Sequence, residues 1–304
     1  MQDLFPGFES HWLDTPDGRI FARSKGEGPP VLLLHGFPQT HVCWHRMAGK
    51  IAERHHVVAM DLRGYGWSSV PPSDAAHEAY SKRAMARDAI RVMSHFGYAR
   101  FALVGHDRGA RVGYRLALDQ PARITHLAML DILPTFHVWR EIEAGRFPAA
   151  HWEFLARPAP EPEDAIGRNP NAFFEKLMAG WTRDGTLDAI HPAALEAYRQ
   201  AYNEPSRIHA VCEDYRAGAS LDREADEADL AAGRRIRCPV AIGWGEFFLT
   251  GRDDGGPTPL DVWRASFAPQ AEGRLLDSGH FVPEEDPAGA LDLILPVLAE
   301  QETR

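Results

Sequence analysis

Between a short apolar run and a stretch of helical periodicity the chain reads Phe101-Ala102-Leu103-Val104-Gly105-His106-Asp107-Arg108-Gly109-Ala110-Arg111. This pattern constrains the chain to a buried strand that turns abruptly into a helix. Small residues at 105 and 109 allow the strained turn, which lifts the side chain of residue 107 above the sheet and aims it outward. That side chain is a carboxylate. A carboxylate nucleophile attacks saturated carbon and leaves an ester on the protein, so its natural substrates carry a leaving group on carbon rather than an acyl group to be transferred. A serine-type esterase is excluded, because no serine stands at the turn.

The segments around this turn repeat its logic. Val31-Leu32-Leu33-Leu34 and Val57-Val58-Ala59-Met60 read as buried strands, followed by the loops His35-Gly36-Phe37-Pro38 and Asp61-Leu62-Arg63-Gly64-Tyr65-Gly66. Leu127-Ala128-Met129-Leu130-Asp131-Ile132 is the next strand, with an acid at its end, and the spacing of Val112, Leu116 and Ala117 predicts a helix over 108–118. Asp107 therefore stands just ahead of a helix N-terminus, whose amides and dipole favour an anion. Strands alternating with helices predict an α/β protein with a mostly parallel central sheet.

From about 134 to 228 strand-like runs disappear. Trp139, Trp152, Trp181, Tyr198, Tyr202 and Tyr215 lie among helical stretches interrupted by prolines at 148, 158, 160, 162, 170, 192 and 205. We read 134–228 as an inserted helical cap, with a core formed by 1–133 and 229–304. Strand character returns over 238–244 and around Arg274-Leu275-Leu276, just before Ser278-Gly279-His280, and 288–298 reads as a closing helix.

With 304 residues, 44% hydrophobic and 25% charged, the chain has the composition of a globular protein. A formal net charge of −10 argues against general binding to nucleic acid or to anionic membranes, and an anionic substrate would need local cations. Cys43, Cys212 and Cys238 are odd in number and lack metal-ligand spacing, which fits reduced thiols in a cytoplasmic protein. The opening residues do not read as a secretory signal.

Asp107, Asp131 and His280 follow the nucleophile, acid, base order of an α/β-hydrolase, each after a predicted strand, so all three are expected on one rim of the sheet. The partner of His280 has rivals: Glu246, Asp253 and Asp254 follow the strand at Trp244-Gly245, although that stretch continues with the hydrophobics Phe247-Phe248-Leu249. Asp131 is preferred. Arg108 and Arg111, three positions apart on the helix after the turn, share a face near Asp107 and can grip a carboxylate by paired hydrogen bonds.

In these motifs the chain resembles the fluoroacetate (haloacetate) dehalogenases, a branch of the α/β-hydrolases. The resemblance rests on His35-Gly36-Phe37-Pro38-Gln39-Thr40-His41, the segment 105–111, Leu130-Asp131-Ile132-Leu133-Pro134, His151-Trp152, Cys212-Glu213-Asp214-Tyr215-Arg216-Ala217-Gly218 and Ser278-Gly279-His280-Phe281. It implies Asp107 as nucleophile, His280 as general base, Asp131 as its partner, and Arg108 with Arg111 as the substrate-carboxylate clamp. It further implies His151, Trp152 and Tyr215 as halide donors, a small haloacetate as substrate, and a homodimer. The backbone amides of Phe37 and Arg108 are expected to form an oxyanion hole, and no metal or organic cofactor is required. Trp181 is expected on the access path or in cap packing, and 246–256 match no pattern of the family. Three rivals remain: an epoxide hydrolase with the same Asp and His, a haloalkane dehalogenase, and a hydrolase-like binding protein without turnover.

Overall fold

The computed structural model describes residues 2–147, 149–249 and 256–299. Its centre is an eight-stranded sheet, in the order β1-β2-β4-β3-β5-β6-β7-β8, among the described residues. The strands are β1 (Glu9–Thr15), β2 (Gly18–Lys25), β3 (Pro30–Leu34), β4 (His56–Met60), β5 (Phe101–His106), β6 (Ile124–Leu130), β7 (Val240–Gly245) and β8 (Glu272–Leu276). From β4 to β8 neighbouring strands pair in parallel, whereas β1 and β2 pair antiparallel with each other and β2 pairs antiparallel with β4.

Parallel strands are covered on both faces, so their sequences run apolar without alternation. In β3, Leu32 and Leu34 enter one hydrophobic cluster and Val31 and Leu33 the other. The first cluster lies under α2 (Lys82–His95) and α3 (Arg108–Asp119), and the second under α1 (Ala48–Ile51) and the closing α13 (Pro287–Ala299). The hairpin β1–β2 adds an edge that the apolar runs did not announce, because β1 is mostly solvated and the apolar run of β2 is only Ile20-Phe21-Ala22.

Between β6 and β7 the described residues form seven helices: α4 (Thr135–Glu143), α5 (Ala150–Leu155), α6 (Glu161–Gly167), α7 (Pro170–Trp181), α8 (Pro192–Tyr202), α9 (Pro205–Ala219) and α10 (Leu221–Ala231). Proline stands in the first turn of α6, α7, α8 and α9, where its missing N–H costs nothing. The prolines of this stretch thus start helices more than they break them. The last of these helices continues to Ala231, past the boundary expected at 228. The remaining helices, α11 (Pro259–Ser266) and α12 (Val282–Glu285), flank β8.

Candidate active site

Asp107 stands between the end of β5 and the start of α3 with φ 44° and ψ −116°, a conformation that costs a non-glycine residue energy and persists only when its surroundings hold it. The glycines beside it explain how. A Cβ on Gly109 would stand 2.2 Å from the carbonyl oxygen of Leu34, and one on Gly105 would stand 2.5 Å from the backbone of Ala110. Only bare backbone lets the helix cross the strand this closely. The amide of Phe37, in the loop after β3, donates to Asp107 Oδ1 at 2.8 Å. Arg108 opens α3, which puts its amide at the helix N-terminus.

His280 follows β8 and is buried beside Asp107. Its Nδ1 lies 2.6 Å from Asp131 Oδ2, and its Nε2 lies 3.9 Å from Asp107 Oδ2. Asp131, also at positive φ (54°), caps β6 and accepts a second bond from the amide of Gly245 at 2.9 Å. The main chain of His280 is pinned as well: its N–H donates to the carbonyl of Trp181 (2.7 Å), and its carbonyl lies 2.7 Å from His106 Nε2. Among the rival acids, Glu246 is exposed at the surface, whereas Asp253 and Asp254 lie outside the described residues.

Charges in this cluster determine each other. Burial opposes ionisation of Asp107, but His280, Arg108 and Arg111 outweigh it and hold its carboxyl far below the usual range. Burial also opposes the charged form of His280, yet the hydrogen bond and charge of Asp131, with the charge of Asp107, raise its pKa above the ordinary value. Asp131 itself is raised by burial, partly offset by His280.

Both arginines are buried. Arg111 Nη1 donates to the carbonyl of Leu133 and to Thr135 Oγ1, each at 3.0 Å, and its guanidinium lies 4.6 Å from the centre of the Trp152 ring. Arg108 stacks 3.6 Å from the centre of the Tyr215 ring, and its Nε lies 3.5 Å from Asp214 Oδ2. Asp214 is ion-paired in turn with Lys82 and accepts from Tyr65 (2.7 Å). No side-chain nitrogen of Arg108 has a hydrogen-bond partner among the described residues, and Arg111 Nε has none either. Buried guanidinium donors without acceptors are costly, and an anion in the cavity, which Arg111 lines, would satisfy Arg111 Nε.

The cavity over Asp107 is small, about 30 Å³ to the centre of a water-sized sphere, against roughly 10–15 Å³ for a single water. Asp107, Arg111, Asp131 and His280 form its floor, and His151, Trp152, Trp181 and Tyr215 reach it from α5, α7 and α9. Arg108 is not among its lining residues and stands behind Tyr215. Burial lowers His151 to about 3, so the imidazole is neutral at physiological pH and presents one N–H and one lone pair. The Tyr215 hydroxyl is held protonated by burial.

Residues that sequence reasoning passed over complete the wall. Phe248, in the segment after β7, lies with its ring centre 4.5 Å from that of His280, and Leu249 lines the same cavity. The only signal for them was the replacement of an expected acid by hydrophobics.

This arrangement of strained carboxylate, His–Asp pair and inserted helices defines a hydrolase. A family model described as the alpha/beta hydrolase fold matches residues 29–287, and the chain belongs to that family. It is 46% identical, over 242 residues covering 79% of this chain and 78% of the relative, to a fluoroacetate dehalogenase of Burkholderia sp.. A soluble epoxide hydrolase of Corynebacterium sp. (strain C12) is 28% identical over 306 residues, covering 98% of this chain and 96% of that one. Among solved structures, a Pseudomonas aeruginosa protein provisionally assigned as an epoxide hydrolase superposes with a TM-score of 0.90 at 42% identity, covering 100% of this chain and 99% of that chain. No helix among the described residues is long and apolar enough to cross a membrane.

Proposed function

We propose that this hydrolase is a haloacetate dehalogenase that converts a haloacetate, fluoroacetate included, to glycolate and halide, with the helical insertion acting as a cap that closes the site. The observation that carries the reading is the pairing of an ionised, strained carboxylate with the buried Arg111 guanidinium, which lines the same cavity and whose Nε has no hydrogen-bond partner among the described residues. The identity to the Burkholderia dehalogenase supports the same substrate class.

In this reading the Phe37 amide holds Asp107 Oδ1 and leaves Oδ2 to attack. Oδ2 displaces halide from the carbon beside the substrate carboxylate, which Arg111 orients, with Arg108 adding its positive charge from beside Tyr215, while His151, Trp152 and Tyr215 donate to the departing anion. An ester of glycolate then occupies Asp107. Its formation removes the negative charge that helped to raise the His280 pKa, which favours the neutral imidazole when a base is needed. His280, oriented by Asp131, takes a proton from water, and the water oxygen attacks Asp107 Cγ. Negative charge then collects on Oδ1, where the Phe37 amide already points, and collapse of this intermediate releases glycolate.

An epoxide hydrolase would use two cap tyrosines to protonate the opening oxygen. Among the described residues lining the cavity Tyr215 is the single tyrosine, and Tyr202 packs instead on Phe174 with ring centres 3.8 Å apart. The deciding experiment measures halide release from fluoroacetate and chloroacetate, and diol formation from an epoxide, with Asp107→Asn as the blank. Halide release abolished in the blank supports the reading. Diol without halide would replace it with the epoxide reaction.

A further inference from the structure

The cavity has two unlike sides. Toward the cap it is lined by ring donors and toward α3 by Arg111, but its remaining side is apolar, formed by Ile132, Leu133, Val138, Phe147, Phe248 and Leu249. Phe248 lies with its ring centre 4.5 Å from that of the His280 imidazole and 6.0 Å from that of Trp181. Its backbone is tied down. Glu246 N donates to the Leu276 carbonyl (3.0 Å) and Phe247 N to that of Ser278 (3.1 Å), so the segment is laced to the loop that carries His280. Moving the backbone of this segment away would break that lacing.

Once the substrate carboxylate lies at Arg111 and the halide at the cap donors, any third substituent on the reacting carbon is left facing the apolar side. The whole cavity offers only about 30 Å³ to the centre of a water-sized sphere, so a substituent there meets these side chains. We infer that Phe248, backed by Leu249, is a size gate that confines the site to unbranched two-carbon haloacids and shields His280 from larger molecules. This inference rests on the dehalogenase reading for its substrate, but its geometry rests on the ring contact alone. Phe247, next in the chain, serves as the internal control: it is 47% exposed, lies under the Arg183 guanidinium at 4.9 Å, and does not line the cavity.

The test compares wild type, Phe248→Ala, Phe248→Leu and Phe247→Ala in two measurements. The first is the ratio of kcat/KM for 2-chloropropionate to that for chloroacetate. Room for one methyl group should raise that ratio about 10-fold or more in Phe248→Ala, less in Phe248→Leu, and not at all in Phe247→Ala. The second is the rate at which diethylpyrocarbonate modifies His280, followed by mass spectrometry of its peptide. This rate should rise in Phe248→Ala and stay level in Phe247→Ala. A ratio unchanged within about two-fold while chloroacetate is turned over overturns the gate, as does an unchanged modification rate. If wild type releases no halide from chloroacetate, the dehalogenase reading fails by itself, and the His280 modification rate then decides the gate.

Discussion

His280 Nε2 and Asp107 Oδ2 face each other across 3.9 Å, too far for a direct hydrogen bond. With Nδ1 occupied by Asp131 at 2.6 Å, Nε2 is the nitrogen left to meet a water molecule at the carboxylate. In the proposed reaction His280 therefore serves the second step rather than the first. His280→Gln should still be alkylated by substrate but should not release the product, so the peptide containing Asp107 gains the mass of the ester. An inactive variant with an unmodified Asp107 would count against the two-step scheme.

The Phe37 amide on Oδ1 makes the carboxylate asymmetric before substrate arrives. In a single turnover in heavy-oxygen water, with enzyme in excess, the solvent oxygen should appear in Asp107 and the first glycolate should be unlabelled. Label in that first glycolate would mean that water attacked the substrate directly.

Arg111 is held by Leu133 and Thr135 while keeping Nε unpartnered, a posture suited to a carboxylate in the cavity. Charged hydrogen bonds are worth about 1.5–3 kcal/mol, so Arg111→Ala should lower kcat/KM for chloroacetate roughly 10- to 150-fold. Turnover of a neutral halide such as chloroacetamide should fall much less. Equal losses on both would remove the clamp.

In the proposed reaction ester hydrolysis needs neutral His280, whose pKa burial lowers and Asp131 raises. Where the second step limits kcat, activity should therefore rise with pH as His280 loses its proton. Asp131→Asn removes the main support against burial, so this limb should move toward acid while kcat drops at every pH. A pH profile of kcat in both proteins checks this, and an unmoved limb would dissociate Asp131 from the titration.

Glu284 is fully buried among Gln39, Tyr198, His45 and Arg46, and burial pushes it up to about 8, only partly offset by Arg46 and by its hydrogen bonds. The folded protein keeps a proton that the unfolded chain, with its ordinary value of 4.5, gives up. Its contribution to stability is therefore present in full at acid pH and is lost as pH rises from 4.5 to about 8. Glu284→Gln should melt about 2 °C or more above wild type at pH 9, a margin that shrinks toward pH 5. A difference that does not vary with pH would show that the carboxyl does not titrate there.

Much of the fold was readable because parallel strands buried on both faces leave unbroken apolar runs, as at Val31–Leu34 and Phe101–Val104. The β1–β2 hairpin was missed although Pro16-Asp17-Gly18 carries a turn signature, because β1 is largely solvated and the apolar run of β2 is confined to Ile20-Phe21-Ala22. The cap aromatics Trp152 and Tyr215 were assigned from a resemblance, since aromatics at helical spacing look the same whether they pack a core or line a cavity.

By itself the sequence determined what depends on neighbours along the chain. It placed a carboxylate at a strand-to-helix turn, since Gly105 and Gly109 leave room for that crossing, and it set the order of Asp107, Asp131 and His280. Only the tertiary structure decided what depends on distance in space. It put Asp131 rather than Glu246 against His280, set Arg108 behind Tyr215 beside Asp214, and closed the cavity with Phe248. The physical reason is that sheet register and helix packing, which bring together residues more than a hundred positions apart, are set by how whole faces fit and not by any local pattern.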